Sequence, residues 1–257
     1  MKINKRWGNR LWAIKQDLLA SVMALDDVEY QAVEAEPVEQ PAYQVDSGVA
    51  VINICGLMTK YQDVFTMMGL AVSTQAASEA ITAAEADNTV TAICVYIDSG
   101  GGDVSGTIDL ADMVAACTKP VVAYISDECY SAAYWVASQC DRVLINRGGF
   151  AGSIGVYTTM LDQSKAAEAQ GIKVYVVKAG EHKAIGEPGT EVTPDGLQVV
   201  QKTIDTVYEL FVGAVAAGRG MSTADVKKLA DGSVYAAAEA IKLGLVDEIV
   251  SAGDVIK

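Results

Sequence analysis

The chemistry-bearing residues of the chain fall in four short stretches: DSGGGD (98–103), ECYSAAYW (128–135), AGSIGV (151–156) and AGEHKAIG (179–186). In the first, Gly100, Gly101 and Gly102 follow an apolar strand pattern, and a backbone without side chains can turn its N–H groups toward a ligand oxygen. The run lacks the spacing and the Gly-Lys-Ser/Thr ending of phosphate-binding loops, and many such runs are merely tight turns. In the second, Ser131 precedes a helical pattern, and Ala132 and Ala133 allow close backbone approach. A serine at a helix start is most often a cap. The other reading is a nucleophile whose helix start offers N–H donors to a developing oxyanion. Ser153 sits between glycines, where turn chemistry suffices to explain it. Glu181, His182 and Lys183 enter a Gly-bounded loop, for which solvation is the simplest account.

A serine nucleophile needs a base. His182 is the only histidine in the chain, so a histidine mechanism has little material. Adjacent residues in an extended loop point to opposite sides, so His182 and Lys183 cannot both face one serine. A serine can instead use a lysine held neutral by burial.

These stretches must be positioned by the elements around them. VAVINI (49–54), TAICVYI (91–97), PVVAYIS (120–126) and RVLI (142–145) read as short apolar strands of a buried parallel sheet. VYTTM (156–160), IKVYVVKA (172–179) and LVDEIV (245–250) are expected to add strands. Helices are expected over 72–86, 104–117, 129–139, 161–170, roughly 194–217, 223–230 and 236–242, with Gly244 capping the last. Alternation of strand and helix predicts βαβ crossovers and an α/β fold. Residues 9–25 carry Leu11, Trp12, Ile14, Leu18, Leu19 and Val22 on one side of an expected amphipathic helix. Residues 29–44 are acidic and broken by Pro37 and Pro41, as in a linker or arm. The division expected is an N-terminal helix and arm over 1–47 and one domain over 48–257.

The 257 residues are 51% hydrophobic, ample for one sizeable core. With 33 acidic against 19 basic residues the net charge is -14. Such a surface repels phosphates, and no basic stripe interleaved with aromatics is present, so nucleic-acid binding is not expected. The basic start MKINKR is followed by Arg10, Lys15 and Asp17 rather than an apolar run, which argues against an export signal, and no run is long enough for a membrane span. Cys55, Cys94, Cys117, Cys129 and Cys140 lack CxxC spacing and sit among apolar residues, as expected of reduced, buried thiols in a cytosolic protein.

The ordered stretches GVAVINICG, YIDSGGGDVSG, KPVVAYISDECYSAAYWVASQCDRV, GSIGV, VKAGEHKAIGEP, GRGMS and DGSVYAAAEAIKLGLVDEIV resemble the signal peptide peptidase A family of Ser–Lys serine peptidases. The resemblance runs from about residue 48 to 250. It implies a Clp/crotonase-like α/β fold and a peptidase without metal or cofactor. By the same resemblance Ser131 is the nucleophile, Lys183 the general base and Ser153 the serine that orients the lysine. The N–H groups of Gly102 and Ala132 would form the oxyanion hole. The family turn usually reads Ser-Pro-Gly-Gly, whereas here it is Ser99-Gly100-Gly101-Gly102. The small residues after the nucleophile are usually glycine, whereas here they are Ala132 and Ala133, which narrows the space beside a scissile bond. LWAIKQDLLASV is similar to the leading segment of phage-encoded members, the capsid-assembly proteases of tailed phages. The resemblance therefore implies a head-maturation protease acting on scaffold, portal or capsid precursors, in the host cytoplasm or the prohead. It also implies a homo-oligomer. Some phage members carry a C-terminal scaffold extension, which is expected to be absent or separate here.

Three other readings compete. A cytosolic cellular peptidase of the same family would degrade peptides or signal peptides. A crotonase-like acyl-CoA enzyme would share the fold and the oxyanion hole without needing Ser131 and Lys183 together, and no basic patch for the CoA phosphates is evident. A non-catalytic scaffold or capsid protein would have no activated serine.

Overall fold

A computed structural model describes residues 12–14 and 43–255. After a first strand, β1 (Trp12–Ile14), come β2 (Gln44–Asp46), β3 (Val49–Cys55), β4 (Leu57–Thr59), helix α1 (Val64–Met67), β5 (Ala71–Ser73) and helix α2 (Thr74–Ala86). Next are β6 (Ala92–Ser99), β7 (Gly101–Asp103), α3 (Thr107–Ala115), β8 (Val121–Tyr130), α4 (Ala132–Ala137), β9 (Arg142–Ile145), β10 (Phe150–Gly152) and α5 (Ser164–Ala169). The long α6 (Pro194–Gly218), α7 (Thr223–Leu229), β11 (Val234–Ala236), α8 (Ala237–Lys242) and β12 (Glu248–Ile249) complete the order. Helix starts follow the local chemistry. Ser73, Thr193 and Ser222 each accept a hydrogen bond from a first-turn N–H, and Pro194 opens α6.

Among the described residues, the main sheet has eight strands. Its spine runs β3–β6–β8, all parallel, with β2 and β11 antiparallel at the two ends. β8 forks. Its first half pairs with β9 through Val122–Ile125, and its second half pairs with β10 through Glu128–Tyr130. The register with β6 shifts between Ile97 and Ser99, so that Ile97 faces Ile125 while Ser99 faces Cys129. That irregularity carries β8 past the sheet to the point where Ser131 begins α4. A second sheet, ordered β1–β7–β4–β5, branches from the C-terminal end of β6. The mostly parallel sheet with helical crossovers is the α/β, Clp/crotonase-like architecture expected.

The principal core lies between the helices and one face of the main sheet, with Ile52, Ile54, Val95, Ile97, Ala123 and Ile125 pointing into it. α4 is the most deeply set helix, and all six of its residues are buried. Trp135 stacks on Phe211 of α6 at 4.4 Å, and the Tyr134 hydroxyl donates to the Leu245 carbonyl at 2.8 Å. The opposite face carries a small cluster around Cys94, Tyr124 and Leu144. The cysteines are all free. Cys94, Cys129 and Cys140 are buried, and Cys55 and Cys117 half-buried. Burial pushes the Cys94 thiol up to about 11.

Several expectations need correction. Trp12–Ile14 is a strand, not part of an amphipathic helix, because its backbone finds partners on β7. The rest of 9–25 lies outside the described residues, as does most of the arm. The expected turn at 98–103 is the end of β6 followed by β7. β8 continues to Tyr130, so the helix expected over 129–139 begins only at Ala132. VYTTM contributes one isolated bridge at Tyr157 rather than a strand, and IKVYVVKA forms no strand. In that last run Tyr175 is 82% and Val177 99% exposed, so its apolar pattern joins no sheet edge among the described residues.

Candidate active site

Ser131 occupies the junction between β8 and α4, at φ 54° and ψ -117°. This is an uncommon conformation for a residue with a side chain and costs about 1–3 kcal/mol. The surroundings hold it there. The Ser131 N–H donates to the Gly152 carbonyl at 2.8 Å, and the Ser131 carbonyl accepts from the Trp135 N–H at 2.9 Å. The side chain does not cap its own helix. Its hydroxyl instead donates to the Gly155 carbonyl at 3.4 Å. The capping account of this serine therefore fails, and the hydroxyl points toward the GSIG loop. Cys129 is fully buried and its thiol is pushed well up by burial, so it does not compete as a nucleophile.

The GSIG loop is positioned by β10, which lies between β8 and β11. Ser153 also has a positive φ, 53°, and its N–H donates to the Ser233 carbonyl at 2.6 Å. The fold thus brings Ser131 and the Ser153 loop together through Gly152 and Gly155. Among the described contacts, none joins the Ser153 hydroxyl to Ser131 or to Lys183.

The Gly-rich stretch is placed against the same spot. Ser99 turns the chain: its hydroxyl donates to the Gly56 carbonyl at 2.6 Å and accepts from the Gly101 N–H at 3.1 Å. Gly102 then crosses Met58 so closely that a Cβ would stand 2.0 Å from the Met58 carbonyl oxygen. β7 packs on α4, which sets Gly102 and Ala132 on facing elements. A helix leaves its first N–H groups without intrahelical acceptors, and that of Ala132 is among them. Two N–H groups at such a junction can hold the oxygen of a tetrahedral intermediate.

Lys183 lies apart from this cluster. Residues 172–184 are exposed throughout, and no described contact links the Lys183 ammonium to Ser131. His182 is also exposed, with Nδ1 3.7 Å from a carboxylate oxygen of Asp195 at the start of α6. The site residues that sequence reading did not single out are Gly152 and Gly155, whose carbonyls hold the serine, together with Met58 and Ser233. The glycine spacing of GSIGV was the only signal for the first two. Met58 and Ser233 act through backbone atoms, which leave no mark in a sequence.

Comparison with known proteins gives the family of the chain. The family model described as Peptidase family S49 matches residues 115–257, more than half of the chain. Capsid assembly protease C of Escherichia phage lambda is 30% identical over 253 residues, covering 95% of this chain and 56% of the relative. Head-tail preconnector protein GP5 of Enterobacteria phage P21 is 28% identical over 236 residues, covering 91% and 46%. The chain thus spans about half the length of these relatives. Among solved structures, a point mutant of ClpP1 from Listeria monocytogenes superposes with a TM-score of 0.53 at 17% identity, covering 80% of this chain and 94% of that one. That likeness speaks for the fold alone.

Proposed function

From the premise that this chain belongs to peptidase family S49, we propose that it is a serine endopeptidase using a Ser131–Lys183 dyad. The observation that carries the reading is the backbone of Ser131. A serine held at φ 54° between a strand and a buried helix, with its hydroxyl turned away from the cap, is arranged to present an oxygen rather than to start a helix. The strain is stored where a nucleophile would need a fixed direction.

In this mechanism the neutral amine of Lys183 takes the Ser131 proton as Oγ attacks a peptide carbonyl. The N–H groups of Gly102 and Ala132 hold the oxyanion. The lysine then gives its proton to the leaving amine, and water hydrolyses the acyl-enzyme. Ser153 holds the amine in place. The exposure of Lys183 sets a condition on this scheme, because a general base must lie against the serine and away from bulk water. Tyr175 and Val177, close by in the same segment, are among the most exposed apolar side chains. A second copy of the chain covering this segment would bury the apolar run and desolvate Lys183 together. A homo-oligomer is therefore part of the proposal. Covering 95% of this chain, the capsid assembly protease of phage lambda supports phage head precursors as the substrates.

A fluorophosphonate probe tests the chemistry, since it labels only an activated serine. Labelling of the wild-type chain that is lost in Ser131→Ala is the expected result, and an unlabelled, folded, assembled chain would refute it. Co-expression with candidate head proteins, followed by mass spectrometry of new termini, identifies the substrate.

A further inference from the structure

We propose that β1 is a built-in competitor for the edge of β7 facing away from β4, the edge on which an extended peptide would dock. β1 lies antiparallel to β7, with Trp12 opposite Asp103, Ala13 opposite Gly102 and Ile14 opposite Gly101. β4 takes the other side of β7. An extended peptide that adds to β7 from the open side must use the same N–H and C=O groups that β1 uses. One edge accepts one strand, so β1 and a docked peptide exclude each other.

The register connects this edge to chemistry. Gly102 is the residue whose N–H the peptidase reading assigns to the oxyanion, and the residue facing it across the ladder is Ala13. The inference rests on that reading and deepens it. A substrate strand would lie antiparallel to Gly101–Asp103, as β1 does, with a small residue level with Gly102. Ser131 is 1% exposed, and Gly101, Gly102 and Asp103 are buried as well.

The physics favours exchange rather than permanent occupancy. A three-residue edge strand has few ladder bonds to break, so its local opening costs far less than unfolding. β1 and β7 belong to one chain, and an intramolecular segment acts at an effective concentration on the order of millimolar. β1 can thus hold the edge against dilute peptides and yield to a substrate that is concentrated or that binds over a longer stretch. The apparent rate is then the intrinsic rate multiplied by the fraction of chains with β1 released.

The test keeps the full chain. In an edge strand alternate N–H groups point to the neighbour, so replacing two successive residues removes a ladder bond whichever way β1 faces. The variant is Trp12→Pro/Ala13→Pro, with an unchanged thermal midpoint as the check on folding. Two readouts are used: fluorophosphonate labelling of Ser131, and binding of a fluorescein-labelled synthetic peptide NRLWAIKQ (residues 9–16) in the Ser131→Ala background. The double-proline chain is expected to label about fivefold faster or more, to be protected by the unlabelled peptide, and to bind the labelled peptide more tightly by a similar factor. A folded double-proline chain that labels at the wild-type rate and binds the peptide no more tightly overturns the proposal. If neither chain labels but peptide binding still separates them, the docking edge stands and the peptidase reading falls. If the prolines unfold the chain, Ala13→Asp, which sets a carboxylate opposite buried Gly102, is read by the same two measurements.

Discussion

Ser131 and Gly152 are joined through the backbone: the serine N–H donates to the glycine carbonyl at 2.8 Å. The end of β8 and the loop holding Ser153 are therefore fixed to each other at this point. Gly152 has φ 124°, and a Cβ there would stand 2.8 Å from the Ser233 carbonyl oxygen. Only glycine satisfies both the conformation and the space.

Gly152→Ala is accordingly expected to shift the carbonyl that holds Ser131. The chain should still fold, with stability lowered by roughly 1–3 kcal/mol. Fluorophosphonate labelling should fall by at least an order of magnitude, more than the loss of stability alone would produce at 25 °C. Denaturant melts beside labelling rates measure both. Unchanged labelling would mean that the Gly152 carbonyl does not position the serine.

Gly102→Ala should be more severe. The added methyl would meet the Met58 backbone nitrogen, carbon and oxygen, none of which is the end of a flexible side chain. β7 must move away from β4, carrying the Gly102 N–H with it. Loss of one oxyanion donor costs about 10²–10³ in rate. The expected signature is a large fall in kcat in a chain that remains folded at low temperature, read by peptide hydrolysis and circular dichroism.

Lys183 and His182 separate by substitution. Lys183→Ala should lower hydrolysis by about 10²–10⁴, the usual worth of a positioned base. Lys183→Arg should fail as well, since a guanidinium keeps its proton. His182→Ala should retain most activity, because His182 faces Asp195 from an exposed position. A dead His182→Ala beside an active Lys183→Ala would restore a histidine mechanism.

Asp247 predicts the acid limit of stability. Burial pushes its carboxyl up, but the hydrogen bonds from Arg219 and the Val143 N–H outweigh that, and it titrates below the usual carboxylate range. A depressed folded value stabilises the fold above the unfolded value of about 3.9 and loses that contribution as pH falls through the folded one. Asp247→Asn should therefore melt below wild type at neutral pH, by on the order of 1–3 kcal/mol. The two should converge under strongly acidic conditions. Thermal melts from neutral to strongly acidic pH decide it, and a constant difference across that range would contradict the assignment.

Much of this protein was legible in the chain itself. VAVINI, TAICVYI, PVVAYIS and RVLI carry the apolar runs of a buried sheet, and they form the cores of β3, β6, β8 and β9. Thr193-Pro194 announces α6, because a capping hydroxyl and a fixed φ are local properties. The order of the motifs carries the likeness to the peptidase family whose model matches residues 115–257. What the tertiary structure decided depends on partners distant in sequence. Trp12–Ile14 reads as helix by periodicity, yet becomes a strand because β7 offers an open ladder. Gly101–Asp103 reads as a turn, yet becomes a strand because Met58 lies alongside it. IKVYVVKA reads as a strand, yet stays unpaired because a strand needs an edge and none within the described chain reaches it. Ser131 reads as a cap or a nucleophile. Its positive φ and the turn of its hydroxyl toward Gly155 come from β10, whose glycine carbonyl holds the serine N–H, and from α4, buried behind it. Periodicity records which side of an element is apolar, whereas pairing and strain are set by what the folded chain brings alongside.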